Sequence, residues 1–194
     1  MFKENAIIEA AKLLDQDPEL EASFCFSEDA IESGLDVLGR QALMVADMPE
    51  TLAALCGSDE SGKNYLENYN GRAVCFATDS DVAHIARTRK KSRAAVGIQK
   101  AGRSGEEMVL VIGSSLSALA AAGALIEGGF LRPGLVIVTV KANENVGPEQ
   151  VTALKQQFMQ LETPYIVVGG DKGGPEMAAA ICGSLIDLLN IDEA

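Results

Sequence analysis

Tryptophan is missing from this 194-residue chain, and aromatic residues of any kind make up only 5% of it. A core without large rings must be filled by Ala, Val, Leu and Ile, and a hydrophobic content of 47% is enough for a sizeable one. Histidine occurs once, at His84, and the four cysteines (Cys25, Cys56, Cys75, Cys182) form no CxxC pair, so zinc-ligand spacing is lacking. Cys75 and Cys182 lie inside apolar runs and read as small buried hydrophobes, and reduced thiols are the expected state. No stretch approaches the roughly 18 uninterrupted apolar residues that a bilayer span needs. The opening residues, MFKENAIIEAAKLL, are amphipathic and have no apolar signal core. Positive charge is scarce: 16 Lys and Arg stand against 28 Asp and Glu, a formal net charge of −12. A nucleic-acid duplex or an anionic membrane surface would repel such a chain in the mean. The expectation is a cytoplasmic protein with neither a membrane nor a nucleic acid among its partners.

What the chain has in quantity is glycine, 19 residues, much of it where short apolar runs give way to helical patterns. ALMV (42–45), AVCFAT (73–78), MVLVIG (108–113), LVIVTV (135–140) and PYIVVG (164–169) read as strands. They do not alternate, which marks strands covered on both faces. Helical spacing occupies 5–15, 27–39, 49–57, 79–92, 114–129, 148–162 and 175–189, with a further short segment over 92–102. Ser27 is placed to cap the second of these and Gly39 to stop it; Pro49 opens the third and Gly57 closes it. The polar stretch 58–71 is a surface loop or carries a short helix. The repeated strand–helix order predicts one α/β domain over 1–194, a three-layer α/β/α arrangement with a mainly parallel sheet.

In such sheets ligands bind outside the carboxyl ends of the strands, where the strand order reverses. Five loops lie there: Asp47–Pro49, Thr78–Asp81, Gly113–Ser117, Lys141–Gly147 and Gly169–Pro175. Ser114, Ser115 and Ser117 sit where a strand becomes a helix, and can cap that helix or donate to a bound anion. The spacing is neither a Walker loop nor GxGxxG. GGDKGG (169–174) is either a tight turn or an anion cradle around Lys172 and Gly173. RTRKKSR (87–93) gathers five of the 16 basic residues, Arg93 among them, either as a solvated helix end or as a site for a polyanionic small ligand. Asp47 ends the first strand and reads equally as an acid–base group or a helix cap. His84 reads as a surface or packing residue.

Taken in order, these loops resemble the precorrin-8X methylmutase (precorrin isomerase) family. The residues that carry the resemblance are IGSSLSAL (112–119), IEGG (126–129), RPGLVI (132–137) and PYIVVGGDKGGPEMAAAICGSL (164–185). FSEDAIESG (26–34), LMVAD (43–47) and the Ser92–Arg93 pair are also similar, so most of the chain is covered. The resemblance implies an isomerase of cobalamin synthesis that moves a methyl group between neighbouring carbons of a corrin precursor. It implies no metal and no cofactor, and a homodimer with the site near its interface. The substrate's many carboxylates would give Ser114, Ser115, Ser117, Arg93, Lys172 and Gly173 a shared purpose, charge-assisted hydrogen bonds to the ring's acidic arms. Asp47 is the candidate acid. The chain also departs from the family. The histidine expected as proton donor before FSEDAIESG is absent from LEASFCFS, and the loop after LVIVTV is KANENVG. An alternative reading is therefore a catalytically inactive relative that binds a corrinoid or another polycarboxylate. A nucleotide or anion binder on a similar sheet is the third.

Overall fold

A computed structural model describes residues 2–192. Six strands form one sheet in the order β1-β6-β5-β4-β2-β3. They are β1 (Phe24–Phe26), β2 (Leu43–Ala46), β3 (Ala73–Val74), β4 (Met108–Ile112), β5 (Leu135–Val138) and β6 (Tyr165–Val168). All neighbouring pairs are parallel except β1 with β6. The helices are α1 (Phe2–Lys12), α2 (Leu20–Ser23), α3 (Ala30–Gly39), α4 (Pro49–Cys56), α5 (Ser80–Arg89), α6 (Arg93–Gly102), α7 (Leu116–Glu127), α8 (Pro148–Phe158) and α9 (Pro175–Asp192).

Alternate side chains of each central strand feed two separate cores. Met44, Ala46, Val109, Val111, Leu135, Ile137, Ile166 and Val168 pack with buried residues of α1, α3, α4 and α9. Leu43, Val45, Met108, Leu110, Ile112, Val136, Val138 and Val167 pack with α6, α7 and α8. Burial on both faces is why these strands read as unbroken apolar runs, and the result is the three-layer α/β/α fold. Alanine-rich helix faces replace the missing rings: Ala118, Leu119 and Ala122 of α7 are fully buried. Cys75 and Cys182 are buried as well.

Two local expectations change, and one open alternative is decided. Only Ala73 and Val74 pair with β2, and Phe76–Thr78 turn as a short 3-10 helix instead of prolonging a strand to 78. The Thr78 hydroxyl donates to the Cys75 carbonyl at 2.9 Å, and α6 passes so close that a Cβ on Gly97 would lie 3.0 Å from the Ala77 nitrogen. Ser27 does not cap α3. Its backbone and hydroxyl bond Tyr165, tying β1 to β6, and α3 starts after Asp29. Segment 58–71 carries no helix and is a loop whose Tyr65, Leu66 and Tyr69 pack on the first core.

From β2 the chain moves outward to β3, then returns past β2 to β4 and continues to β5 and β6. The order therefore reverses between β2 and β4, where open α/β sheets hold ligands.

Candidate functional site at the β2/β4 switch point

The site is built from the bottom by Asp47, the residue that follows β2. It is 1% exposed. One carboxylate oxygen accepts the backbone N–H groups of Ser114 at 2.9 Å and Ser115 at 2.6 Å. The other accepts the Thr51 hydroxyl at 2.7 Å and the Gly113 N–H at 3.3 Å. Burial pushes this carboxyl above the usual carboxylate range, while the Thr51 hydroxyl and the three N–H groups pull against that shift. Every contact comes from a donor, so the pocket is shaped for a carboxylate. The anion hole at the start of α7 is thus filled from within the protein. Ser114 faces the same way, its hydroxyl 2.9 Å from that of Thr51.

Above this floor the hydroxyls of two other serines turn outward. Ser115 caps α7 by accepting the Ala118 N–H at 3.2 Å, and Ser92 caps α6 by accepting the Ala95 N–H at 3.0 Å. Ser117 joins them, 2.9 Å from Ser115 and 2.6 Å from Ser92. Two helix N-termini, each with its partial positive charge, are therefore brought together by a chain of three hydroxyls. The caps spend oxygen lone pairs on N–H groups, and the two bonds through Ser117 use two of the three hydroxyl hydrogens, so one hydrogen of the chain stays available for donation. Arg93 is the first residue of α6, beside Ser92, and is exposed. Arg87, Arg89, Lys90 and Lys91 precede it along the surface, and none of the five forms an ion pair among the described residues. Lys12, Arg40, Arg72, Lys100 and Lys172 are all paired.

Lys172 and Gly173 lie on the loop between β6 and α9. The Lys172 ammonium pairs with Asp17 and lies 3.8 Å from a Glu19 oxygen. Gly173, at φ 127°, backs onto Thr139 so closely that a Cβ would overlap the Thr139 carbonyl oxygen. His84 is exposed on α5. Among the described residues no cluster of His, Cys, Asp and Glu could hold a metal ion, and no helix is long and apolar enough to cross a membrane. A cavity of about 630 Å³ lies between α1, α9 and residues 61–68 and contains none of the site serines.

Sequence reasoning passed over Thr51 and Lys155. Thr51 lies one helical turn after Asp47, the spacing at which a hydroxyl in α4 reaches back to the carboxylate that precedes the helix. Lys155 falls on the buried stripe of α8 with Val151 and Phe158, an unusual place for a lysine and the signal that could have found it.

The precorrin-8X methylmutase family profile matches residues 3–188, nearly the whole chain, and the switch-point turn lies inside that span. The chain belongs to this family. Among curated relatives, the cobalt-precorrin-8 methylmutase of Leptospira interrogans is 29% identical over 81% of this chain and 70% of its own length. That of Methanocaldococcus jannaschii is 26% identical over 99% and 83%. The crystal structure of a precorrin-8X methylmutase from Thermus thermophilus superposes with a TM-score of 0.78 at 25% identity, covering 98% of this chain and 88% of that one. A precorrin-8X methylmutase related protein, at 20% identity, shares the fold with a TM-score of 0.81. In this member of the family, residues 20–26, where the family histidine was expected nearby, form α2 and the edge strand β1 and hold no histidine.

Proposed function

We propose that this chain binds the polycarboxylate corrin precursor of cobalamin synthesis at the β2/β4 switch point and isomerises it by moving a methyl group between neighbouring ring carbons. The observation that carries the reading is the meeting of the α6 and α7 N-termini through Ser92, Ser117 and Ser115 beside an unpaired cationic run, in a chain of this family. A carboxylate arm of the ring accepts the one hydrogen this chain of hydroxyls leaves free, and Arg93 adds a charge-assisted bond. Asp47 acts as a positioning residue, because its oxygens are occupied by the turn that carries Ser114 and Ser115. Lys172 and Gly173 form the outer edge of the site, where a ring carboxylate competes with Asp17 for the ammonium. Any cobalt arrives within the ring as part of the substrate. Two copies pair in the cytoplasm with the site near their interface.

The missing histidine favours the second reading, a relative that holds the ring without isomerising it. Loss of a general acid costs about 10²–10⁴-fold in rate. A turnover assay with the precursor, followed by the visible spectrum, separates the two. Slow but protein-dependent conversion supports the isomerase; a bound spectrum with no conversion supports the binder. Light scattering then tests the pair, which requires twice the 20.4 kDa chain mass.

A further inference from the structure

Lys155 is 1% exposed, yet it carries an ammonium. Its Nζ donates to the carbonyls of Val168 at 2.6 Å, Gly170 at 3.0 Å and Lys172 at 3.1 Å. An ammonium has three hydrogens, and all are spent on one stretch of chain, the end of β6 and the glycine loop after it. That loop continues into the site. The Gly174 N–H donates to the Thr139 carbonyl at 2.5 Å, and the Thr139 hydroxyl donates to the Gly174 carbonyl at 2.7 Å. Pro175 opens α9, and its Cα would lie 3.0 Å from a Cβ on Gly113, the residue that begins the turn around Asp47.

We propose that Lys155 is a positioning residue, whose ammonium gathers the carbonyls of the 168–172 segment and thereby sets the start of α9 against the Gly113–Ser115 turn. The consequence for ring binding rests on the function proposed above; the positioning itself does not. The titratable groups around Lys155 are Asp171 and Lys172 on the loop, with Glu19 and Cys25 across an adjoining cavity of about 460 Å³; Thr152 and Gln156 of its own helix also line that cavity. Burial pushes the ammonium down to about 8, while Asp171 acts in the other direction. The folded value lies below the ordinary 10.5, so the fold holds fewer protons than the unfolded chain between these values and its stability rises with pH there. A neutral amine, however, has two hydrogens for three carbonyls. Above pH 8 the loop loosens while this group's contribution to global stability grows, and these opposite signs separate positioning from a general structural role.

The test is amide hydrogen exchange, corrected for intrinsic rates, on the full chain and on Lys155→Met. The variant is expected to exchange about tenfold faster at 113–115 and 169–174, the scale of one lost charged hydrogen bond, with β4 and β5 unchanged. The unaltered protein is expected to lose protection at 169–174 between pH 7 and 9, a measurement that needs no variant to fold. Equal exchange at 113–115 in both proteins, a uniform rise across the sheet, or pH-independent protection of the loop would each overturn the proposal. Titrating both proteins with the corrin product adds a separate readout: about tenfold weaker binding by the variant extends the positioning to the ring. A loop that responds as expected in a protein that binds no ring would leave Lys155 in place and remove the corrin reading.

Discussion

Asp47→Asn replaces one oxygen by an amide nitrogen in a pocket that offers only donors. The Asn oxygen can keep the Ser114 and Ser115 N–H groups, at 2.9 and 2.6 Å in the native site. Its NH2 then points at the Gly113 N–H and the Thr51 hydroxyl, which lie 3.3 and 2.7 Å from the native carboxylate. Thr51 can rotate to accept, but the Gly113 N–H cannot. The cost has two parts: one buried donor left unmet, about 1–3 kcal/mol, and loss of the negative charge at the start of α7, about 1 kcal/mol in a buried setting. A total of about 2–4 kcal/mol lowers the melting temperature of a domain this size by roughly 4–16 °C. Differential scanning calorimetry at pH 7 measures it. A shift below about 1 °C would refute the claim that this carboxylate holds the turn together, and would reopen Asp47 as a group that meets the ligand.

Other perturbations follow from the same geometry. Arg93→Ala should weaken binding of the corrin product several-fold at low ionic strength and much less at 0.5 M salt, because the side chain is exposed and screened; titrations at two salt concentrations check this. Lys172 holds the Asp17 carboxyl below its ordinary 3.8, so their pairing contributes stability above that value and loses it as pH falls further. Acid unfolding of Lys172→Met should therefore show a shallower loss of stability below about pH 4, and an unchanged slope would argue that the pair contributes nothing. Gly97→Val should cost about 1–3 kcal/mol by overpacking, since even a Cβ would sit 3.0 Å from the Ala77 nitrogen; urea unfolding reads the change.

The double-sided burial of β2, β4, β5 and β6 makes their sequences plain, and the loops at their carboxyl ends could be named before any coordinate was known. The edges of the sheet were less legible for a physical reason. FCF is a half-buried three-residue strand whose register depends on Tyr165, more than a hundred residues away, and AVCFAT is apolar because it packs under α6, not because it prolongs a strand. At the site, the serines after β4 were visible as a helix start. Their meeting with Ser92 depends on how α6 crosses α7, which no local pattern encodes. The glycines around Lys172 marked it as an anion ligand, but its pairing with Asp17, from the far end of the chain, has no local pattern.

The central claim is that the ring is held by the hydroxyl chain joining α6 and α7. A visible-absorbance titration with the corrin product, run on the unaltered protein and on the Ser92→Ala/Ser117→Ala double variant, tests it most directly. The account predicts a spectral shift at micromolar protein and at least about tenfold weaker binding by the variant, from the loss of a charge-assisted hydrogen bond. Equal affinity in the two proteins would move the ring to another face of the molecule, and no shift in either would contradict corrin binding altogether.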